Sequence, residues 1–596
     1  MGEALSRKAK YLVLALPLVL TFLYLTRDYH SYGPPHVTPY PYRGQGPYKT
    51  KGTHATGATV SSWWIEFFSR LDAAHPNAAP VQIDGRAPNK NFPPPPDYER
   101  PDMLVLTATD EANMRASHAA YMSELAEFSR HLPYRRNTNG IVTTAGAKNF
   151  GTVVPMVLAL RQTGSRLPVE IVVDSSVPWV RTLCAEVLAP RNATCIFIED
   201  VWAGLDPQPK LERFQWKFIS IVASSFQNVL FLDADVIPVH SPDSILAPGS
   251  QPFASTGFIT WPDFWAAGHT RLFYAIAGDV EVPPVGARTT SESGIMAYDK
   301  ARHADTLLLA SYYNYYGPDF FYAMMTQHGP GEGDKETFFQ AALVLEGLGK
   351  KPYGYVPPMG WTQNANGNKK GYWDVKKLPH SHGRTVKGNW RGMLMLQMDP
   401  MEDYRAVMAA IEKDKHKEPQ PPAAQPTSDN AAASDGDSAS DDDTTSDSTT
   451  PTDDSDTAST SADTATSDAS TPTTDSDSGN SSMRARGLDA TFFTDSSFLA
   501  NISHLKFEQE PKRWMFFHHN GCKLDFTRID EEKAAIVATD DDGKFMRLWG
   551  NPDWIIGNTG RDVEKELWRD SMEVWCLVAE FDTVCDKMRE IYAQVY

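Results

Sequence analysis

An alternation of short apolar runs with helix-like segments between residues 140 and 232 most constrains what this chain can fold into. The runs GIVTT, LPVEIVV, ATCIFI and NVLFL each have the length of a strand, and the segments between them carry apolar residues at helical spacing. Strands buried on both faces read as continuous apolar runs, as these do. The pattern therefore predicts an α/β fold in which a mostly parallel sheet is flanked by helices.

The last of these runs ends in two carboxylates. In NVLFLDADVIPVHSP, Asp233 and Asp235 stand where the predicted strand stops. Ligands of open α/β sheets bind beyond the carboxyl ends of the strands, and carboxylates there are costly unless a cation balances them. Mg²⁺ and Mn²⁺ prefer oxygen ligands, so we predict a divalent-metal site. The alternative is a polar strand end that caps a neighbouring helix.

The D-x-D spacing by itself carries no information, because the chain repeats it where no fold is expected. Residues 419–483 contain fourteen Asp and no Glu, Lys or Arg, and they repeat the spacing as DGD, DDD and DSD. This Ser-, Thr- and Asp-rich insert is predicted to be disordered. Its charge accounts for most of the net charge of −19. The remainder is only mildly acidic, which argues against nucleic acid as a partner.

The start of the sequence predicts a membrane anchor. The run YLVLALPLVLTFLYL is short for a bilayer span of about 20 residues, so a cleaved signal peptide and a core helix are alternatives. Basic residues on its N-terminal side favour a signal anchor in a thinner membrane of the early secretory pathway, with the rest of the chain lumenal. The predicted segments are a cytosolic tail at 1–10, the anchor at 11–26, a stem at 27–100, and a catalytic domain at 101–418 and 484–596 that the insert interrupts.

Two further segments carry residues suited to the same site. The run GEGDKETF places Asp334 and Glu336 at the start of a predicted helix, where the helix dipole alone would also favour acids. The run MFFHHNGCK places His518 and His519 after an aromatic strand. An imidazole that completes a carboxylate site suits Mn²⁺, whereas a core histidine is the alternative. Lys523, in the same run, is a candidate phosphate ligand.

Two lysines are candidates for contacts with a nucleotide. Lys148 follows the first predicted strand, and Lys217 lies on the helix before the strand that ends in D-x-D. Both positions face the edge where phosphates or a base would bind, although a solvated surface lysine is the alternative. Among the five cysteines, the pairs closest in sequence are Cys184 with Cys195 and Cys576 with Cys585, and we predict these two disulfides in a lumenal protein.

Taken in order, these segments resemble the fungal Golgi α-1,3-mannosyltransferases, which are type II membrane enzymes with a GT-A nucleotide-sugar fold. The resemblance covers roughly residues 140–399 and resumes at 514–525. It is carried by GIVTTAGAKN, LRQTGSRLPVEI, FQWKFISIVASSFQNVLFLDADVIPV, WPDFW, ESGIMAYDK, YYNYYGPDFFY and GEGDKETF.

The resemblance implies a GT-A-like fold, GDP-mannose as the donor, Mn²⁺ (or Mg²⁺) as the cofactor, and retaining transfer of mannose to a mannose-containing glycan acceptor. It implies that Asp233 and Asp235 bind the metal and the diphosphate and that Lys217 contacts the donor. His518 matches the histidine of an H-x-x-G motif that ends such a metal site. Lys523 comes one residue earlier than the corresponding lysine of that motif.

The residue that assists the chemistry is left open at this point. Asp334, in GDKE, resembles an acid near the donor sugar, and Asp263, Glu292 and Glu336 are further candidates. The leaving diphosphate could instead deprotonate the acceptor.

Three other functions compete with this one. They are a retaining transferase of the same fold that uses a UDP-sugar, a phosphatase with Asp233 as its nucleophile, and a non-catalytic lumenal glycan-binding protein. The phosphatase needs a second acid where GDKETF has Phe338.

Overall fold

The structure is a computed structural model that describes part of the chain. The described residues are 49–50, 62–90, 94–95, 97–175, 177–285, 289–349, 390–415, 513–520, 523–529, 536–539 and 544–596, with four strands between 355 and 379. The predicted anchor at 11–26 and the predicted insert at 419–483 lie outside them. None of the described helices is both long and apolar enough to cross a membrane.

The chain divides into two compact units. One comprises Met1–Glu412 together with Leu488–Tyr596, and the other comprises Lys413–Gly487. Of the second unit, only the last three residues of one helix are described. All elements discussed below belong to the first unit.

The strands are numbered in chain order. They are β1 Lys49–Thr50, β2 Gln82–Ile83, β3 Leu104–Val105, β4 Arg135–Ala145, β5 Val169–Val173, β6 Ala193–Phe197, β7 Leu205–Asp206, β8 Phe226–Leu232, β9 Val236–Pro238, β10 Phe258–Ala266, β11 Thr289–Asp299, β12 Tyr355–Val356, β13 Thr362–Gln363, β14 Lys369–Lys370, β15 Trp373–Pro379, β16 Trp390–Met398, β17 Trp514–Asn520, β18 Ala538–Thr539 and β19 Phe545–Met546.

The α-helices are numbered in the same way. They are α1 Ser62–Ala73, α2 Ala108–Phe128, α3 Val153–Gln162, α4 Pro178–Thr182, α5 Ile198–Val201, α6 Gln215–Ala223, α7 Phe253–Thr256, α8 Arg271–Ile276, α9 Ala304–Tyr315, α10 Tyr322–Thr326, α11 Thr337–Gly347, α12 Pro400–Lys415, α13 Asp553–Thr559, α14 Val563–Trp575 and α15 Asp582–Val595.

A seven-stranded sheet forms the centre of the molecule. Its strand order is β12-β10-β11-β8-β4-β5-β6. Four of its six pairings are parallel, and the two that involve β11 are antiparallel. The prediction of an α/β fold with a mostly parallel sheet is therefore confirmed. The strand order reverses between β4 and β8, and ligands of α/β sheets bind at such a point.

Both faces of the central sheet are buried, as the side chains of β8 show. On β8, Leu230 and Leu232 enter one buried apolar cluster, while Val229 and Phe231 enter the other. Since successive side chains of a strand point to opposite faces, each cluster marks one face of the sheet. Helix α3 and the C-terminal helices α14 and α15 pack in the first cluster, and α1, α6, α9 and α11 pack in the second.

A second sheet begins directly after the first. It is antiparallel, with the order β15-β16-β17-β9. The chain leaves the central sheet at Leu232, at the end of β8, and enters the second sheet at Val236, at the start of β9. The tripeptide Asp233-Ala234-Asp235 is thus the junction between the two sheets.

The globular part begins earlier in the chain than the predicted boundary at residue 101. Within the predicted stem, helix α1 buries Trp63, Trp64, Phe67 and Phe68 in the same apolar cluster as α6 and α9. Burying four aromatic side chains removes a large apolar area from water, which ties α1 firmly to the core. The predicted disulfides Cys184–Cys195 and Cys576–Cys585 are both confirmed.

Candidate active site

Asp233, Asp235 and His518 come together at the junction of the two sheets. One ligand atom from each lies within 4.8 Å of those from the other two, and His518 Nε2 is 3.7 Å from Asp235 Oδ1. The pairing of β17 with β9 sets this arrangement, because it places His518 opposite Val236. Asp235 and His518 are buried. The structure thus unites the three residues that the sequence proposed as metal ligands.

The backbone around these ligands is fixed from both neighbouring strands. The amide of Asp233 donates to the carbonyl of Gly294 on β11 at 2.8 Å, and the amide of His519 donates to the carbonyl of Asp235 at 3.2 Å. Gly294 also leaves the space that the His518 ring needs, since a Cβ there would lie 2.4 Å from His518 Cε1. Glycine is therefore required at position 294 because a Cβ would collide with the His518 ring, and not because of the backbone conformation.

The three side chains fit a divalent cation such as Mn²⁺ or Mg²⁺. Two carboxylates and one imidazole form a donor set of the kind that Mn²⁺ accepts. The Nδ1 atom of His518 is buried, and it has no hydrogen-bond partner among the described residues. The amino group of Lys523 forms an ion pair with Asp235, so a positive charge already stands beside this acid. The side chain of Lys523 is about half exposed.

Lys217 links this group to a second acid. Its ammonium lies 3.2 Å from Asp233 Oδ2 and 3.0 Å from Asp334 Oδ2, and it donates to the carbonyl and the hydroxyl of Ser293 at 3.0 and 2.9 Å. Burial alone would lower the pKa of Lys217, but Asp233, Asp334 and Glu292 together raise it above its ordinary value. Lys217 is therefore a charged lysine at the centre of the acidic cluster.

Asp334 lies deeper in the same cluster. It accepts a hydrogen bond from the hydroxyl of Ser293 at 3.2 Å and the ion pair from Lys217. Burial raises the pKa of Asp334, Lys217 opposes that shift, and the charge of Asp233 adds to it. The sequence placed Asp334 at a helix start, but its side chain faces the D-x-D strand end and does not act only as a helix cap.

Asp263 and Glu292 share one lysine. Lys335 Nζ is 2.6 Å from Asp263 Oδ2 and 3.2 Å from Glu292 Oε2. Burial would raise the pKa of Glu292, but Lys335, His518 and Lys217 lower it to about 2. Despite its own burial, Lys335 has a pKa raised by these two acids. Asp263 and Glu292 therefore lie at the site as two carboxylates that share one ammonium, whose single positive charge balances only one of them.

Glu336 is held by a separate network. Its Oε2 atom lies 2.6 Å from His269 Nε2 and accepts from Gln340 at 3.0 Å, and its Oε1 atom accepts from the amide of Ser291. Both oxygens are thus occupied by buried partners, and Glu336 anchors the start of α11 to β11. This geometry favours a structural role over the catalytic one that the sequence left open.

The structure does not bring Lys148 to the cluster. It is exposed in the turn at 147–152 that follows β4. In the described part of the chain, no hydrogen bond or ion pair joins it to Asp233, Asp235 or Asp334. Lys148 is therefore a solvated surface lysine in this structure.

Sequence reasoning missed Lys335 and Ser293, which hold the acids in place. Both lie inside quoted segments, GEGDKETF and SESGIMAYDK, of which only the acids were considered. A glycine inside an apolar strand pattern signals a bulge or a close approach, and Gly294 was the available clue.

Comparison with known proteins identifies mannosyltransferases as relatives. The family described as "Mannosyltransferase putative" matches residues 138–288 and 283–360, a region that includes the D-x-D and GDKE segments but not His518. The α-1,2-mannosyltransferase MNN21 of Candida albicans is 30% identical over 366 residues, which are 53% of this chain and 51% of that protein.

Two relatives from Saccharomyces cerevisiae give the same picture. The α-1,2-mannosyltransferase MNN2 is 28% identical over 53% of this chain and 54% of its own length, and MNN5 is 30% identical over 52% and 58%. Among solved structures, the glycosyltransferase GlyE of Streptococcus pneumoniae TIGR4 aligns with 37% of this chain and 46% of its own at 10% identity, with a TM-score of 0.24. The chain spans about half the length of the curated relatives it matches, and over that half it is similar to fungal proteins named α-1,2-mannosyltransferases.

Proposed function

We propose that this protein is a metal-dependent retaining mannosyltransferase of GT-A type that transfers mannose from GDP-mannose to a mannose-containing glycan. The observation that carries the proposal is the assembly of Asp233, Asp235 and His518 beside the Lys217–Asp334 pair. The cluster stands at the carboxyl end of β8, next to the point where the strand order reverses, where nucleotides bind in α/β sheets. Similarity to mannosyltransferases supports mannose as the sugar.

Each residue has a role that follows from its charge and position. Asp233, Asp235 and His518 would hold Mn²⁺ or Mg²⁺, which neutralises charge on the diphosphate of a bound donor. Lys523, beside Asp235 and partly exposed, binds a phosphate oxygen from the open side. Lys217 fixes Asp233 against β11 and keeps a positive charge under the leaving group.

The transfer breaks the bond between the anomeric carbon and the diphosphate oxygen and forms a bond from that carbon to an acceptor hydroxyl. The hydroxyl proton leaves with the diphosphate, and positive charge develops on the sugar ring. A carboxylate near the ring stabilises that charge. Asp334 is the best placed of the candidates, because the lysine that it binds, Lys217, also contacts Asp233 at the D-x-D strand end. Asp263 and Glu292 bind Lys335 instead, and both oxygens of Glu336 are hydrogen-bonded.

For the linkage, the names of the relatives favour α-1,2 over the α-1,3 that the sequence resemblance implied. We therefore propose an α-1,2 linkage. The difference is one of acceptor position, because donor binding and metal binding are common to both. Acceptor contacts come from loops outside the metal cluster, and these vary more readily than the core motifs.

For the compartment, we propose the lumen of the Golgi, with the chain anchored through residues 11–26. Two observations support it. The apolar run near the start of the chain has basic residues on its N-terminal side. The disulfides Cys184–Cys195 and Cys576–Cys585 suit an oxidising compartment.

The test is a donor and metal screen on the purified full chain after removal of metal. GDP-mannose, UDP-glucose and UDP-galactose are each offered with an α-mannobiose acceptor, with and without Mn²⁺, and nucleoside diphosphate release is measured. We expect Mn²⁺-dependent release from GDP-mannose, lost in Asp233→Asn with Asp235→Asn. NMR of the trisaccharide then distinguishes the α-1,2 from the α-1,3 linkage and shows whether the anomeric configuration is retained.

The other outcomes separate the alternatives. Release from a UDP-sugar alone would keep the transferase and replace the donor. Binding of mannobiose without release from any donor would favour the glycan-binding protein, and hydrolysis of a phosphomonoester by the same preparation would favour the phosphatase.

A further inference from the structure

Lys335 is enclosed by two acids that have almost no contact with water. Asp263 and Glu292 are 0% and 3% exposed, and the Lys335 side chain that binds both is 21% exposed. A buried carboxylate is strongly unfavourable unless a partner balances it. Lys335 is therefore the shared counter-ion of two acids that come from adjacent strands, Asp263 from β10 and Glu292 from β11.

Glu292 in turn supports an irregularity in β11. The pairing of β10 with β11 shifts between Thr260, which faces Met296, and Trp261, which faces Glu292. Residues 293–295 therefore have no partner on β10. The amides of Ser293 and Gly294 donate instead to Glu292 Oε1, both at 3.1 Å. Bulges of this kind redirect side chains and occur beside active sites.

The bulge carries the groups that position the candidate metal ligands. The carbonyl of Gly294 accepts the amide of Asp233 at 2.8 Å, and the missing side chain of Gly294 leaves room for the ring of His518. The carbonyl and hydroxyl of Ser293 accept from Lys217, which binds Asp233. Two of the three metal-ligand candidates thus depend on the position of two bulge residues.

We propose that Lys335 is a positioning residue that sets the affinity of the metal site by acting through Glu292 and the bulge. This inference rests on the proposed metal site, although not on the identity of the sugar. Lys335 touches no metal-ligand candidate. It holds Glu292 in the orientation that binds the Ser293 and Gly294 amides, and without its charge Asp263 and Glu292 repel each other and release the bulge.

The neighbouring residue makes a parallel connection. Asp334 binds Ser293 and Lys217, whereas Lys335 binds Glu292 and Asp263. Two consecutive residues just before α11 therefore bind the N-terminal end of the bulge, Asp334 at Ser293 and Lys335 at Glu292.

The experiment measures Mn²⁺ binding directly, by EPR titration of free Mn²⁺ against the metal-stripped full chain. Partners behind metal ligands typically contribute a factor of about 10 to 100 in metal affinity. We expect Lys335→Met to weaken Mn²⁺ binding at least about 10-fold, Glu292→Leu, which removes the acceptor of both bulge amides, to weaken it similarly, and Lys335→Arg to stay within about threefold of the parent. Because both residues act through one bulge, the double variant should be no weaker than either single variant.

A matched control is Lys300→Met. Lys300 is a fully buried lysine directly after β11, six residues beyond Gly294, and it donates to the carbonyls of Val222 and Ser224. Losing it should lower the unfolding temperature and leave Mn²⁺ affinity unchanged. Parent-like Mn²⁺ binding by Lys335→Met, or equal weakening by Lys300→Met, would overturn the proposal.

Kinetics distinguish positioning from contact with substrate. If Lys335 acts only on the metal site, excess Mn²⁺ restores the kcat of Lys335→Met. A kcat that stays low at saturating Mn²⁺ would instead give Lys335 a direct role at the sugar and refute the positioning role. If Lys335→Met does not fold, Lys335→Gln replaces it in the titration, and Glu292→Leu tests separately whether the bulge governs Mn²⁺ affinity. A parent that binds Mn²⁺ but transfers from no donor would refute the proposed function alone, and the titration would still decide the role of Lys335.

Discussion

Replacing Gly294 by alanine should disable the metal site without a change in any charged group. The new Cβ would lie 2.4 Å from Cε1 and 3.0 Å from Nδ1 of His518, whereas ordinary contact begins at 3.4 Å. The His518 ring must therefore move by about 1 Å, or β11 must move away from the D-x-D strand end. Metal–ligand distances tolerate about 0.2 Å, so a shift of this size removes the imidazole from the ligand set.

The expected magnitude follows from the loss of one ligand in three. Two carboxylates remain, and Mn²⁺ affinity should fall by about 10- to 100-fold. Because both changes remove the same imidazole, Gly294→Ala, His518→Ala and the double variant should bind Mn²⁺ equally weakly. EPR titration of free Mn²⁺ measures this on the full chain.

Gly557→Ala provides the matched control. Gly557 lies in α13, where an added Cβ meets nothing within 4 Å, so the substitution should leave Mn²⁺ affinity unchanged and favour the helix slightly. Parent-like binding by Gly294→Ala, or a double variant much weaker than His518→Ala, would show that the close approach of Gly294 to the ring does not govern the site.

Three further outcomes are expected. Asp334→Asn should lower kcat about 100-fold at saturating Mn²⁺ and donor, because an acid that stabilises charge in the transition state has effects of that order. Steady-state kinetics measure this loss, with Glu336→Gln as the comparison. An equal loss of kcat in both variants would remove the distinction between these two acids. Burial raises the pKa of Glu564 from 4.5 to about 7. Between these two pH values the folded protein keeps a proton that the unfolded chain releases. The free energy of unfolding should therefore fall by about 3 kcal/mol as the pH rises through this range. Urea unfolding at pH 5 and pH 8 tests this, with Glu564→Gln expected to lose that dependence, and a parent equally stable at both values would contradict it. Replacing Cys184 and Cys195 by alanine should cost about 2 to 3 kcal/mol of unfolding free energy for a loop of this length, and an unchanged melting temperature would refute that estimate.

The central sheet could be predicted because its signals are local. The apolar runs that form β4, β5, β6 and β8 stand in the sequence as continuous segments, and the helices between them keep their own period. The position of Asp233 and Asp235 follows from the same pattern, since they directly end β8. For these elements, the residues whose pattern indicates a strand or a helix lie close together in the sequence.

The remainder of the site depends on pairing between distant strands. Nothing near Lys335 in the sequence shows that its partners are Asp263 and Glu292, because a register shift between β10 and β11 brings them together. Likewise, the sequence pattern of an acid at a helix start fits two different situations. The acid can face solvent and interact with the helix dipole, or it can bind a buried partner, as Glu336 binds His269. Single-sequence patterns do not contain strand register, so these contacts could not be predicted.

The predicted start of the globular part at residue 101 failed for a related reason. The run SSWWIEFFSRLDAA has the pattern of a short amphipathic helix, but its aromatic face has no partner nearby in the sequence. In the structure, Trp64 and Phe68 of α1 contact Trp202, which lies more than a hundred residues further along the chain. Only this long-range contact with Trp202 distinguishes a helix of the core from a helix in a stem.

The metal site is closed by a strand that arrives late in synthesis. His518 follows Asp235 by about 280 residues, and it reaches the D-x-D junction only when β17 pairs with β9. The entropy of closing such a loop grows with the logarithm of its length, so doubling the intervening chain costs only about 0.6 kcal/mol. A nascent chain that has not yet reached β17 has both carboxylates but no imidazole, so under the proposed function strong metal affinity would require the completed fold.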